Sequence, residues 1–191
     1  MNDNEYKKID FDNPSYLFIL EDKLKGVLGG PFFYNPYIKS FKLKGNEMVL
    51  DFGCGGGVAS KCALKFLNQN GHITAVDVSN YWVKKAKKRL KKFTNVDCIH
   101  GDIRNLDIPD SSFDVIFTIH VIHDIPPKDR QTTVNALSRK LKKGGRLLIR
   151  DFTKKSHGMP IEKIRKLLSN AGLKEVTHTI SKSEYMGEFQ K

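Results

Sequence analysis

The sequence predicts an α/β fold, a doubly wound and mostly parallel sheet with helices on both faces, and three observations carry that prediction. After Gly45, short apolar segments alternate with amphipathic ones, the pattern of strands joined by helical crossovers. The first apolar segments, MVLDF and ITAVDV among them, are nearly continuous, as strands buried on both faces are. The amphipathic segments have readable ends, with serine or proline at their starts and glycine after them.

Taken in order, the strand segments are 47–52, 72–78, 96–100, 113–119 and 145–152, with two more near 175–180 and 184–190. A first helix over 58–69 repeats Val58, Cys62 and Phe66 every four residues and stops before Gly71. Ser79 caps the second, because its hydroxyl can accept from a backbone N–H that no helical carbonyl serves. In that helix Trp82, Val83, Ala86, Leu90 and Phe93 share one face, so WVKKAKKRLKKF reads as a surface helix with a solvated basic side. A third follows Pro126 and Pro127 and groups Val134, Leu137 and Leu141. A fourth starts at Pro160, turns Ile161, Ile164, Leu167 and Leu168 inward, and stops at Gly172.

The first 45 residues differ in character. They are dense in aromatics, from Tyr6 and Phe11 to Tyr37 and Phe41, and YLFILEDKLKGVLGG can form a helix. This segment is either a lid over the strand ends or a cover for one sheet face. The YNPY at 34–37 reads as a turn within it. Residues 46–191 form the ligand-binding domain.

Composition sets the remaining bounds. A chain of 191 residues can bury a core without metal or disulfide staples. Cys54, Cys62 and Cys98 have no metal-ligand spacing, so no metal centre is expected. No stretch reaches the roughly 18 to 20 apolar residues of a membrane span, and MNDNEYKKIDFDNP has no signal-peptide character, so the expected location is cytoplasmic. The formal net charge of +12 leaves an anionic partner such as nucleic acid open, but no aromatics interleave with the lysines as base-stacking platforms would require.

The chemistry concentrates at LDFGCGGGV. A strand, a glycine turn and a helix here would hold a nucleotide-like ligand close to the backbone. The dinucleotide pattern GxGxxG fails, because Val58 stands where the third glycine belongs. Asp51, at the strand end, would repel a phosphate and attract a cation. S-adenosylmethionine, with an ammonium, a sulfonium and no phosphate, fits better. Asp77 ends the second strand where a carboxylate can accept from ribose hydroxyls. Asp102 follows the third, where it can accept from an adenine amino group between Val78 and Ile103. Cys54, a small packing residue of the turn, counts with its glycines among the cofactor-binding positions.

With those residues in place, segment 47–150 resembles the class I, Rossmann-like S-adenosylmethionine-dependent methyltransferases. The family's acidic GxGxG motif is matched by Asp51, Gly53, Gly55 and Gly57, its ribose clamp by Asp77 and its adenine position by Asp102. Its fourth-strand motif is matched by SSFDVIFTIHVIHDI and its fifth-strand entrance by LKKGGRLLI. The resemblance implies seven strands in the order 3-2-1-4-5-7-6, the seventh antiparallel. It also places His120 and His123 near the transferred methyl group, His120 lining the cofactor pocket and His123 contacting the acceptor, where a neutral imidazole can take a proton. Arg150 and Asp151 are weaker candidates, readable as an ion pair at the sheet rim.

The expected activity is in-line methyl transfer to a small-molecule acceptor, giving S-adenosylhomocysteine. IHVIHD stands where nitrogen methyltransferases of nucleic acids carry an NPPY-like motif, so that class loses weight. An RNA or protein methyltransferase docking through the basic surface remains the alternative, as does a non-catalytic cofactor-binding module. The acceptor atom and the oligomeric state are not readable.

Overall fold

The computed structural model describes residues 10–154 and 157–191. Residues 1–9, Tyr6 among them, and residues 155–156 of TKKSHGMP lie outside the described residues. The chain forms two compact units, residues 10–102 and residues 103–191.

The first unit opens with α1 (Tyr16–Leu24), which runs without a break into a π-helical stretch (Lys25–Tyr34) and α2 (Asn35–Ser40). YNPY is therefore not the turn expected of it: Asn35–Tyr37 begin α2. Pro36 sits in the first turn, where the proline's missing N–H costs no helical hydrogen bond. The chain continues through β1 (Met48–Phe52), α3 (Val58–Ala63), β2 (His72–Asp77), α4 (Asn80–Leu90) and β3 (Val96–His100). The strands are parallel, Met48 facing His72 and Ile73 facing Val96. The helix expected over 58–69 ends early. It tightens to a 3-10 turn at Leu64–Phe66, and the Asn68 N–H donates to the Gly45 carbonyl at 2.8 Å, which draws the chain back toward β1.

Ser79 caps α4 as its sequence suggests, its Oγ accepting from the Trp82 N–H at 3.3 Å. Trp82, Val83, Ala86 and Leu90 are buried and Lys84, Lys87, Lys88 and Lys91 exposed. Burying each large apolar side chain of this kind stabilises the fold by about 1.5–3 kcal/mol.

The second unit contains β4 (Phe113–Ile119), a 3-10 turn (Ile122–Asp124), α5 (Pro127–Lys140), β5 (Leu141–Lys154), the two-residue β6 (His157–Gly158), α6 (Ile161–Asn170), β7 (Lys174–Ile180) and β8 (Glu184–Gln190). β4 and β5 are parallel, β8 is antiparallel to both β5 and β7, and β6 folds back on the end of β5. Leu141, expected on the third helix, is instead the first residue of β5. The register jumps from Phe113 opposite Leu141 to Val115 opposite Arg146, so KKGG is absorbed as a bulge, with Gly144 at φ +77°. Ile116, Phe117, Leu137, Leu147, Ile149, Ile164, Tyr185 and Phe189 form this unit's core.

The strand order is β3-β2-β1-β4-β5-β8-β7. With β6 set aside this is the 3-2-1-4-5-7-6 order, mostly parallel and surrounded by helices, that the resemblance implies. No helix among the described residues is long and apolar enough to cross a membrane.

Candidate functional site

Of the residues predicted to bind a cofactor, Asp51, Gly53, Cys54, Gly55, Gly57 and Asp77 meet, in the first unit, around the turn after β1. Gly53 and Cys54 both donate their N–H groups to the Val76 carbonyl, at 2.9 and 3.0 Å, which fixes the turn against the end of β2. Gly53, Gly55 and Gly57 all have positive φ, +75°, +49° and +77°. Two of them serve different needs. A Cβ on Gly57 would lie 3.1 Å from the Ala86 Cβ, so this glycine lets α3 pack against α4. A Cβ on Gly55 would meet nothing within 4 Å among the described residues, so there the backbone is open to a ligand.

Two carboxylates flank the turn. Asp51 is buried in β1 and accepts from the Ser60 hydroxyl on α3. Burial, reinforced by the nearby charge of Asp77 and opposed by the Ser60 hydrogen bond, pushes its carboxyl up to about 7. Asp77 closes β2. Its Oδ2 accepts from the Gly55 N–H at 2.8 Å and its Oδ1 from the Ser79 N–H at 2.9 Å. Burial also raises Asp77, against those two hydrogen bonds. The ribose clamp of the sequence reading is thus also the brace of the turn, and each oxygen keeps a second lone pair for a ligand.

The other cofactor candidates are arranged less uniformly. The Gly101 N–H donates to the Asp77 carbonyl at 2.9 Å, which sets Asp102 beside the end of β2. Val78 is 53% exposed and can support a flat ring. Ile103 opens the second unit and is fully buried, so it presents no such free surface. Cys54 is buried, and burial with the charges of Asp51 and Asp77 raises its thiol far above the ordinary range, which suits a packing residue.

One group here was not visible in the sequence. Arg89 of α4 makes a two-pronged ion pair with Asp22 of α1, at 3.1 and 2.9 Å, and donates to the Gly56 carbonyl. A Cβ on Gly56 would collide with this pair. The N-terminal helix is therefore fastened to the glycine turn by three residues separated by 33 to 67 positions.

The second unit holds the two histidines. The His123 Nδ1 is hydrogen-bonded to the buried carboxylate of Asp151, which also accepts from the His123 N–H at 3.1 Å and the Phe152 N–H at 2.9 Å. The His123 Nε2 lies 3.3 Å from an Asp124 oxygen. Buried Arg130 donates to the carbonyls of His123 and Ile125 at 2.8 and 2.9 Å, fixing the 3-10 turn from below. Burial alone would lower the His123 pKa; the hydrogen bond and charge of Asp151, with Asp124, outweigh it and raise it.

His120 follows β4 with φ +59°, a left-handed conformation unusual for a side-chain-bearing residue. Its N–H donates to the Arg150 carbonyl at 2.7 Å, its ring stacks on Phe152 at 3.9 Å, and its Nε2 meets Glu184 at 2.7 Å. Burial lowers the His120 pKa, against the pull of Glu184. Arg150 holds the other Glu184 oxygen at 2.8 and 3.2 Å. Arg150 and Asp151 thus serve different partners instead of forming a rim pair, because successive residues of a strand point to opposite faces. Glu184 and Arg130 had no sequence signal; the first is found only once β8 is known to lie against β5.

A family described as a methyltransferase domain matches residues 50–149. The chain is 28% identical over 176 residues to the 27-O-demethylrifamycin SV methyltransferase of Amycolatopsis mediterranei, covering 90% of this chain and 58% of that enzyme. It is 28% identical over 111 residues to the demethylmenaquinone methyltransferase of Staphylococcus saprophyticus, covering 58% of this chain and 47% of that one. The chain thus spans about half the length of these relatives. Among solved structures, a SAM-dependent methyltransferase from Aquifex aeolicus superposes with TM-score 0.77 at 23% identity, covering 95% of this chain and 98% of that chain. A TehB-like one from Corynebacterium glutamicum gives 0.76 at 18%, covering 92% and 96%. Both show the shared fold.

Proposed function

The chain belongs to the methyltransferase domain family, and from that premise we propose that it moves a methyl group from S-adenosylmethionine to a small-molecule acceptor. The observation that carries this reading is the glycine turn itself: open backbone at Gly55 between two carboxylates, Asp51 and Asp77, and no third glycine for a pyrophosphate. A dinucleotide would bring two phosphate charges against those carboxylates; a cationic amino acid tail would neutralise them. S-adenosylmethionine, when bound, supplies a methyl group on a cationic sulfur that leaves as a neutral thioether.

The residues divide the remaining work. Asp51 and the turn hold the ammonium end; Asp77 takes the ribose hydroxyls, Asp102 the adenine amino group, and Val78 one face of the ring. Cofactor contacts for Ile103 and His120 fit less well, since the first is fully buried and the second is held by Glu184 and Phe152. His123 is the base. With Nδ1 held by Asp151, its Nε2 is the nitrogen that takes the acceptor's proton, and Asp124 is the group an acceptor would displace. A His–Asp arrangement of this kind serves an acceptor that must lose a proton as the new bond forms. The small-molecule acceptors named in two relatives, 27-O-demethylrifamycin SV and demethylmenaquinone, support this class. We assign residues 10–45 as a lid on the cofactor turn, supported by the Arg89–Asp22 clasp.

The test is calorimetric. Asp77→Ala should abolish measurable binding of S-adenosylhomocysteine, and a screen with methyl-labelled S-adenosylmethionine should label at least one small acceptor. Unchanged binding by Asp77→Ala would overturn the cofactor assignment; labelling confined to RNA or protein would overturn the acceptor class.

A further inference from the structure

The turn that carries His123 ends in a run that cannot complete its own hydrogen bonds. Across Ile122–Asp124 the 3-10 pattern holds, the Asp124 N–H donating to the Val121 carbonyl at 3.0 Å and the Ile125 N–H to the Ile122 carbonyl at 3.3 Å. The next carbonyl, that of His123, would take its donor three or four residues on. Those positions are Pro126 and Pro127, which have no N–H. The Ile125 carbonyl loses a local donor too, because the N–H four residues on, that of Asp129, goes to the Pro126 carbonyl at 2.8 Å. A carbonyl oxygen shut away from water needs a donor from somewhere.

Arg130, buried on α5, supplies both. Its Nη2 donates to the His123 carbonyl at 2.8 Å and its Nε to the Ile125 carbonyl at 2.9 Å. Its Nη1 reaches the Met159 Sδ at 3.8 Å, and the Met159 N–H donates to the Phe152 carbonyl at 2.9 Å, one residue beyond Asp151. The guanidinium therefore lies between the backbone of His123 and the segment that closes on the stretch of β5 holding Asp151. A buried guanidinium is costly to desolvate, and a methionine would fill similar space without that cost. What methionine cannot do is hold two carbonyls in a rigid fork.

We propose that Arg130 is a positioning residue for methyl transfer: by serving the two carbonyls at the end of the His123 turn, it keeps Nδ1 on Asp151 and leaves Nε2 as the nitrogen that takes the proton. The role rests on the reading of His123 as the base. Arg130 acts through that ring and is not placed against cofactor or acceptor.

The experiment is nitrogen NMR of the full chain with labelled histidine, on the alkaline side of the His123 titration, its signals identified by their absence in His123→Ala. No acceptor is needed. The wild type should show one tautomer, with Nδ1 protonated and its hydrogen protected from solvent exchange. Arg130→Met should lose the Nδ1–H signal and draw the two nitrogen shifts together, as a ring sampling both tautomers does, while unchanged S-adenosylhomocysteine binding shows that the chain still folds. Arg130→Lys, which keeps the charge without the fork, should fall between.

A folded Arg130→Met that melts at a lower temperature yet keeps the wild-type tautomer would overturn the proposal, leaving Arg130 a support of the fold alone. Should Arg130→Met fail to fold, Arg130→Lys decides, and a wild-type tautomer in it would overturn the proposal as well. Turnover separates the inference from the reading beneath it. With methyl-labelled S-adenosylmethionine and an acceptor labelled in the screen, Arg130→Met should lower kcat by about 10- to 100-fold, the cost of a misplaced group, with the cofactor KM unchanged. Full turnover in His123→Ala would instead overturn the base reading itself.

Discussion

The imidazole of His123 hangs from Asp151 by two hydrogen bonds, one to its Nδ1 and one to its own backbone N–H, although 28 residues separate them. The double attachment fixes the ring's tautomer and its direction together, because a carboxylate that holds Nδ1–H leaves only Nε2 to accept a proton. His123→Ala should then lower kcat by about 10²- to 10⁴-fold while leaving S-adenosylhomocysteine affinity nearly unchanged. Equal loss of both would make it a structural residue.

The same pair sets a pH dependence. The His123 pKa is raised above the ordinary histidine value of 6.5, and a base must be neutral to act. Activity should therefore rise with pH through a value above 6.5, and Asp151→Asn should move that limb to lower pH. Stability runs the other way. The contribution of the raised His123 is fully present below its unfolded pKa and is lost as pH rises through the folded one. Rate profiles and thermal melts from pH 5 to 9 check both signs.

Asp51 titrates near neutrality, at about 7, so the free protein holds it neutral on the acid side of that value. A cationic ligand favours the ionised form, and cofactor affinity should increase as pH rises from 6 to 8, with a proton released on binding. Without ligand, the raised pKa means that folding binds a proton between the ordinary carboxylate range and 7, and stability falls as pH rises across that window, by on the order of 4 kcal/mol. Asp51→Asn should therefore raise the melting temperature at pH 8, have little effect at pH 4, and weaken cofactor binding. Calorimetry in buffers of different ionisation enthalpy counts the proton.

The cofactor turn was more legible than the histidine cluster for a physical reason. Asp51, Gly53, Gly55, Gly57, Asp77 and Asp102 lie at successive strand ends of a parallel array, so strand spacing alone predicts their neighbourhood. The Glu184 partner of His120 depends on antiparallel pairing near the C-terminus. Phe152 faces Glu184 in the β5–β8 register, and nothing in SEYMGEFQK announces that register. The boundaries that moved, the short α3 and the bulged start of β5, are places where a tertiary hydrogen bond or a strand partner overrode local helical pattern. Arg89 lay hidden within a lysine run whose composition suggested only solvation.

Glu184 joins the buried Arg150 guanidinium to the imidazole of His120, with all three side chains 13% exposed or less. Removing one partner of such a group leaves the other charge desolvated, so Glu184→Ala should destabilise the fold by about 3–5 kcal/mol. Glu184→Gln keeps the shape and one acceptor and should cost less. Chemical denaturation of the two variants measures the difference; equal losses would mean that packing, not charge, governs the cluster.

The two glycines of the turn separate stability from binding. Gly57→Ala places a methyl group 3.1 Å from the Ala86 Cβ and 3.2 Å from the Leu90 Cδ1 at φ +77°. Left-handed strain of about 1–2 kcal/mol adds there to overpacking of about 1–3 kcal/mol. Gly55→Ala meets open space, so only the strain remains, yet its methyl group projects where the backbone is exposed to a ligand. Denaturant melts should therefore rank Gly57→Ala as much the less stable, and titration with S-adenosylhomocysteine should rank Gly55→Ala as the one that, still folded, loses affinity. If Gly55→Ala binds as tightly as the wild type, the open face of the turn is not where the cofactor approaches, and the assignment of Asp51 and Asp77 as its flanking carboxylates falls with it.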